Sequence, residues 1–176
     1  MSRLLRDSAE RHVKKTLQLM QKGKPEEALK ELEIAEKNAF KAKANDIFLN
    51  VQTIKGRIML SLGAYEEALE VHTLSLKTIE KYIYKDPANE FSRSIFQANL
   101  EAIDTLSDVF HSIGHFSQAK SCCELNLSIY TRFLDNEPEN VEYQLNVAVA
   151  LNNLGNLLSD MGQTKEAKNR YPSFGR

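Results

Sequence analysis

The sequence is poor in the residues that build loops and cross-links. Its 176 residues include only seven glycines, four prolines and two cysteines, and no tryptophan. So few glycines and prolines leave little room for an architecture rich in loops or strands, and the composition therefore favours helices. The two cysteines, Cys122 and Cys123, are neighbours, which suits neither an ordinary structural disulfide nor the disulfide framework of a secreted domain. A reducing cytoplasm fits this cysteine usage best.

The sequence also lacks a long hydrophobic run and an excess of charge. No segment approaches the roughly 18 apolar residues of a membrane-spanning helix. Charged residues near the N-terminus interrupt the sequence before any apolar run is long enough for a signal peptide. Lys and Arg total 23 against 24 Asp and Glu, which removes the electrostatic basis for general binding to nucleic acid. We therefore expect a cytoplasmic single domain over residues 1–176, with neither a membrane nor a nucleic acid as its partner.

A short pattern occurs four times along the chain. Each copy has a glycine, four further residues and an alanine, and each lies between two apolar runs at helical spacing. The copies are Gly23 to Ala28, Gly63 to Ala68, Gly114 to Ala119 and Gly162 to Ala167. Glycine ends a helix well because it adopts the left-handed C-cap conformation without steric cost, and the small alanine lets two helices approach closely where they cross. Each copy therefore predicts a helical hairpin.

Helix breakers also lie between the predicted hairpins. Residues 85–89 and 135–140 each contain a turn led by proline, and residues 44–46 form a weaker break. The predicted helices span residues 3–22, 25–43, 46–62, 65–84, 88–113, 116–134, 139–161 and 164–171. These helices predict an all-α chain of about four units over residues 3–43, 46–84, 88–134 and 139–171, the last of them incomplete.

The hairpin pattern resembles the tetratricopeptide repeat, which has a Leu-Gly pair in its first helix, Gly at its turn, and Ala and an aromatic residue in its second helix. The fourth unit agrees best, with Leu151, Leu154, Gly155, Leu158, Gly162, Ala167 and Tyr171 in register. The other units agree in part, since the second carries His72 and the third carries Cys123 where the family has an aromatic residue. The resemblance implies a right-handed superhelical solenoid of antiparallel helical hairpins.

The spacing of the repeats is longer than the family's usual period. The turn glycines lie 40, 51 and 48 residues apart, whereas the family repeats about every 34 residues. Helices of about 20 residues or more, as in the longer-helix variants of this family, account for the difference. The alternative is an extra turn or helix between the second and third units, where the gap is largest.

The resemblance also implies a binding surface. In this family the first helix of each hairpin lines a concave groove, and the positions around its Leu-Gly pair face a ligand. Carried over to this sequence, those positions are Asn50, Thr53, Arg57, Glu101, Asp104, Asp108, His111, Asn152, Asn153 and Asn156. An asparagine amide both donates and accepts hydrogen bonds, as the grip on an extended peptide backbone requires, and the acidic residues favour a basic peptide. The alternative is that these side chains form solvated outer faces.

Two more specific kinds of binding are disfavoured by particular positions. Family members that bind the C-terminal carboxylates of chaperones use a basic and amide clamp, and the corresponding positions here are Val13 and Leu17. The Asn-rich stretch 151–155 looks like the solenoids found beside glycosyltransferase domains, but this chain contains no catalytic domain to accompany it.

The histidines and cysteines make a poor metal site. His111 and His115 are four residues apart, but Gly114 interrupts the helix between them and adjacent cysteines point in different directions. Cys123 is better explained as a buried structural thiol. Nothing supplies an orienting third group for a nucleophile or a phosphate loop, so we expect no enzyme activity, no metal and no cofactor.

Three functional hypotheses remain. The first is a scaffold that binds a protein or peptide segment in the concave groove. The second is a self-assembling structural unit that forms a homo-oligomer through an uncapped C-terminal end, because Pro172 stops the last helix early and leaves its apolar face open. The third is a regulatory fragment of a larger protein such as a transferase.

Overall fold

The structure is a computed structural model that describes residues 2–86 and 89–162. Within these residues the chain forms seven α-helices and no β-strand. The helices are α1 (Ser2–Gln21), α2 (Pro25–Ala42), α3 (Asn45–Ser61), α4 (Tyr65–Lys85), α5 (Glu90–Ser112), α6 (Phe116–Asn136) and α7 (Val141–Asp160). None of the helices in this part of the chain combines the length and hydrophobicity that a membrane span requires.

The prediction of an all-α chain of helical hairpins is confirmed. Each of these seven helices begins and ends within about two residues of its predicted bounds. The helices are 17 to 23 residues long, and only four residues separate α4 from α5. The extra length of each repeat therefore lies in its helices and not in an additional element. The predicted eighth helix, residues 164–171, lies outside the described residues.

The hairpin turns share one hydrogen-bonding scheme. After α1, α3 and α5, the residue that follows the turn glycine donates its backbone N–H to the carbonyl five residues earlier, at distances of 2.7 to 3.0 Å. The turn glycines have φ values between 68° and 79°, as this C-terminal cap requires. The turn from α2 to α3 uses the same scheme with Lys43 at φ 55°. That turn shows that the cap geometry recurs even where the glycine signal is missing.

The chain divides into two compact units, Met1–Ala102 and Ile103–Arg176, with the division inside α5. In the first unit α1 packs on α2 and α3, α2 packs on α3, and α3 packs on α4. In the second unit α6 packs against α7. The alanines at the start of α2, α4 and α6 are fully buried, namely Ala28, Ala68 and Ala119. These small residues allow the close helix approach that the repeat pattern predicts.

A buried polar network links α3, α4 and α5 inside the first unit. Asn99 donates its side-chain amide hydrogens to the Thr53 hydroxyl at 2.9 Å and to the Ile95 carbonyl at 2.7 Å. Its amide oxygen therefore accepts a hydrogen bond from Nδ1 of His72, at 2.7 Å. This arrangement assigns the imidazole proton to Nδ1. Nε2 of His72 is buried and has no hydrogen-bond partner among the described residues.

We expect acid to destabilise residues 1–102 through His72. Burial lowers the pKa of this imidazole. The hydrogen bond with Asn99 raises the pKa in part, and the positive charge of Arg57 lowers it further. The folded-state pKa therefore lies below the unfolded value of about 6.5, so the stabilisation is fully present above that pH and is lost as the pH falls below it. Each pH unit in this window removes at most about 1.4 kcal/mol.

Urea unfolding between about pH 7.5 and pH 5 measures this effect above the range in which carboxylates titrate. His72→Gln retains an amide that can bond Asn99 but cannot titrate, and we expect it to flatten the pH dependence. His115→Gln changes an exposed histidine of the second unit and serves as the control. A pH dependence that is unchanged in His72→Gln would contradict this assignment.

Candidate functional site

A small polar cleft lies in the second unit, between α5, α6 and α7. Its cavity volume is about 140 Å³. The lining residues are Asp104, Ser107, Asp108 and His111 of α5, Cys123 of α6, and Asn153, Asn156, Leu157 and Asp160 of α7. Five of the ten residues predicted from the sequence are among them. The structure therefore brings Asp104, Asp108 and His111 of α5 together with Asn153 and Asn156 of α7.

The packing of the helices explains why these polar side chains reach the cleft. On α5, Leu106 and Phe110 are buried, whereas Asp104 is half-buried and Asp108 is exposed on another side of the helix. On α7, Leu154 and Leu158 are buried whereas Asn153 is exposed. The apolar stripes of both helices face the core. The polar sides of the two helices therefore line the cleft.

The cleft is acidic. Its lining residues include three aspartates and no lysine or arginine. Asp160 Oδ2 lies 3.2 Å from Nε2 of His111, a contact that joins α7 to α5 across the cleft. Oδ1 of Asp104 accepts a hydrogen bond of 2.8 Å from the amide of Asn126. The cleft is therefore electrostatically complementary to a cationic group.

The α6 side of the cleft is formed by a neutral thiol. Cys123 Sγ lies 3.1 Å from Oγ of Ser107, which also donates to the carbonyl of Ala119. Burial raises the pKa of the Cys123 thiol; the Ser107 hydrogen bond opposes this shift, and the nearby Asp104 carboxylate adds to it. Burial likewise raises the pKa of Cys122 to about 12. Neither cysteine supplies a thiolate nucleophile near neutral pH.

The described residues contain no group of three or more His, Cys, Asp and Glu side chains that could hold a metal ion. The carboxylates around the cleft are spread over α5 and α7 rather than gathered on one point.

Comparison with known protein families gives a match over the second half of α7 and the residues that follow it. The family model described as tetratricopeptide repeat matches residues 147–171, which include the cleft positions of α7. This match supports the tetratricopeptide repeat assignment for the fourth hairpin. Repeats of this family generally mediate contacts between proteins and are typically found in scaffolds without enzymatic activity.

The fold comparison finds a similar solved structure. It is the crystal structure of a tetratricopeptide repeat protein from Parabacteroides merdae ATCC 43184, with 17% sequence identity and a TM-score of 0.37. The match covers 93% of this chain and 71% of that chain. Among curated proteins, none matches this sequence.

The other predicted groove positions do not line the cleft. Asn50, Thr53, Arg57 and Glu101 belong to the first unit, and Asn152 is exposed on α7 beside the cleft. Arg57 and Glu101 are exposed, and Asn50 is half-buried.

The placement of Thr53 on a ligand-facing surface is wrong. Thr53 is only 4% exposed, and its hydroxyl accepts the Asn99 hydrogen bond and donates to the Leu49 carbonyl. A threonine whose hydroxyl is satisfied inside the core has no surface to offer a ligand, because its polarity is used by the protein itself.

Four of the nine residues that line the cleft were not among the predicted positions, namely Ser107, Cys123, Leu157 and Asp160. Asp160 lies four residues after Asn156, so helical periodicity alone places the two on one face of α7. Extension of the polar row by one turn would have found it. Cys123 was interpreted only as a buried thiol, and Ser107 and Leu157 gave no signal that distinguishes a cleft wall from the core.

Proposed function

We propose that this chain is a protein-interaction module that holds a segment of another protein in the α5–α6–α7 cleft. The observation that carries the proposal is the convergence of Asp104, Asp108, Asn153 and Asn156 on one cavity. Amides supply donors and acceptors for a peptide backbone, and carboxylates accept from cationic side chains. These are the functions that recognition of a polypeptide needs.

The charge of the cleft favours a protein partner over a nucleic acid. Aspartates around a cavity repel phosphate groups, and the chain as a whole has a formal net charge of −1. The proposed partner is therefore a protein or peptide segment. The proposed activity requires no bond to be made or broken, which agrees with the neutral thiols of the site.

The test is selection of a randomised displayed peptide library on the purified chain, followed by affinity measurement with the enriched peptides. We expect the double variant Asn153→Ala, Asn156→Ala to weaken binding by about tenfold or more, since two hydrogen-bonding side chains contribute roughly 1 kcal/mol each. The matched control is Asn136→Ala, an exposed asparagine of the same unit that does not line the cleft.

Circular dichroism of all three proteins establishes that helicity is unchanged. Enriched peptides that bind the double variant and the native chain equally would overturn the placement of the site. A library that yields no binder would overturn the proposed function itself. If sedimentation shows that the chain binds only to other copies of itself, the hypothesis of a self-assembling structural unit is favoured instead.

A further inference from the structure

A row of exposed aliphatic side chains runs along the first half of α7. Val141, Leu145 and Val149 are 75%, 62% and 49% exposed. Their spacing of four residues places them on one side of the helix. Charged or polar residues would be expected at such positions on a solvent-facing helix, so this row, which we term the aliphatic row, is unusual for its exposure.

The aliphatic row leads directly into the cleft. At 3.6 residues per turn, Val149, Asn152, Asn156 and Asp160 fall within roughly 80° of one another around the α7 axis, and the aliphatic row adjoins that sector. Asn156 and Asp160 line the cleft. One face of α7 is therefore apolar along its first half and amide-bearing and acidic along its second half.

The start of this face is held in place by a helix cap. The side-chain oxygen of Asn140 accepts hydrogen bonds from the backbone N–H groups of Glu142 and Tyr143, at 3.1 and 3.2 Å. Tyr143 also packs on Phe133 of α6, with ring centroids 5.5 Å apart. The aliphatic row thus belongs to a capped and anchored stretch of helix, which provides an ordered docking surface.

We propose that this face of α7 docks an amphipathic partner segment that carries aliphatic side chains for the aliphatic row and a lysine or arginine for the cleft. The proposal rests on the proposed function, and it adds the chemistry of the partner. Charge complementarity selects the basic residue, because the cleft has three aspartates and no cationic lining residue. The aliphatic row favours apolar side chains on the partner, because contact with them removes from water the apolar surface that this chain leaves exposed.

Helix geometry sets the spacing of these features in the partner. Leu145, at the middle of the aliphatic row, lies about 16 Å along the helix axis from Asn156 at the cleft. A helical partner would span this distance with about eleven residues and an extended partner with about five. The enriched peptides should therefore show an aliphatic cluster separated from a basic residue by one of these two intervals.

The experiment uses the peptides enriched on the native chain, together with two variants of the chain. We expect Leu145→Ser to weaken their binding about tenfold, and Asp108→Asn to weaken it severalfold and to reduce its dependence on salt. Leu74→Ser is the matched control, because Leu74 is a comparably exposed leucine of α4 in the other unit. Thermal unfolding of each variant checks that the fold is retained.

The outcomes separate this inference from the proposed function. Peptides that depend on Asn153 and Asn156 but lack the aliphatic and basic pattern, or that ignore Leu145→Ser, would overturn the inference and leave the proposed function standing. A chain that dimerises through α7, with the dimer lost in Leu145→Ser, would show that a second copy occupies the face and would likewise overturn it. If no peptide is enriched, both proposals fail together.

Discussion

Leu154→Ala is expected to lower the free energy of unfolding of the second unit by about 3 kcal/mol. Leu154 is fully buried on the core side of α7, and removal of a buried leucine side chain costs both its transfer free energy and the cavity left behind. Leu145 is a leucine of the same helix on the exposed aliphatic row. Leu145→Ala is expected to change stability by less than about 0.5 kcal/mol.

The pair of leucines separates folding from binding. Urea unfolding followed by circular dichroism measures the stability of both variants, and hydrogen exchange locates the loss within residues 103–162. Leu154→Ala should weaken peptide binding only through the fraction of chain that is unfolded, whereas Leu145→Ala should weaken binding to the folded chain. Equal losses of stability in the two variants would contradict the assignment of buried and exposed faces on α7.

Gly56→Ala is expected to destabilise the first unit by about 2 kcal/mol. A β-carbon at position 56 would lie 2.4 Å from Nε2 of His72, far inside contact distance. The imidazole cannot turn away cheaply because it is buried and its Nδ1 is bonded to Asn99. The cost of such overpacking, roughly 1 to 3 kcal/mol or more, outweighs the gain of up to about 1 kcal/mol that alanine brings to a helix interior.

A double-mutant cycle tests this contact. In a His72→Ala background the ring is gone, so Gly56→Ala should become neutral or stabilising there, although His72→Ala is itself destabilised by the cavity it creates. Chemical unfolding of the four proteins measures the coupling. If Gly56→Ala costs the same with and without the imidazole, the contact between α3 and α4 at this point is not the cause.

The helices and their turns could be predicted from the sequence because the information is local. Apolar residues at helical spacing identify each helix, and a glycine followed five residues later by alanine identifies each hairpin. The turn at Lys43 gave only a weak signal, since the same left-handed cap is adopted there by a residue with a β-carbon. Local chemistry was thus sufficient for the architecture but incomplete for the turns.

The candidate site was predicted less completely because it depends on contacts between distant residues. Asp104, Asp108 and Asn156 were predicted from the resemblance to the tetratricopeptide repeat, and the structure places them at the cleft. Thr53 looked like a member of the same polar set, but its partner Asn99 is 46 residues away and the pair is internal. A polar residue on a helix does not show in the sequence whether its partner is solvent, a ligand or another core residue.

The packing of helices on their sequence neighbours has a consequence for the speed of folding. Among the described residues of the first unit, the helices that pack together are adjacent or next but one along the chain, and in the second unit α6 packs on the helix that follows it. Native contacts therefore close short loops, which keeps the entropic cost of the transition state low. A chain of this kind can begin to fold at any hairpin while the rest of it is still being synthesised.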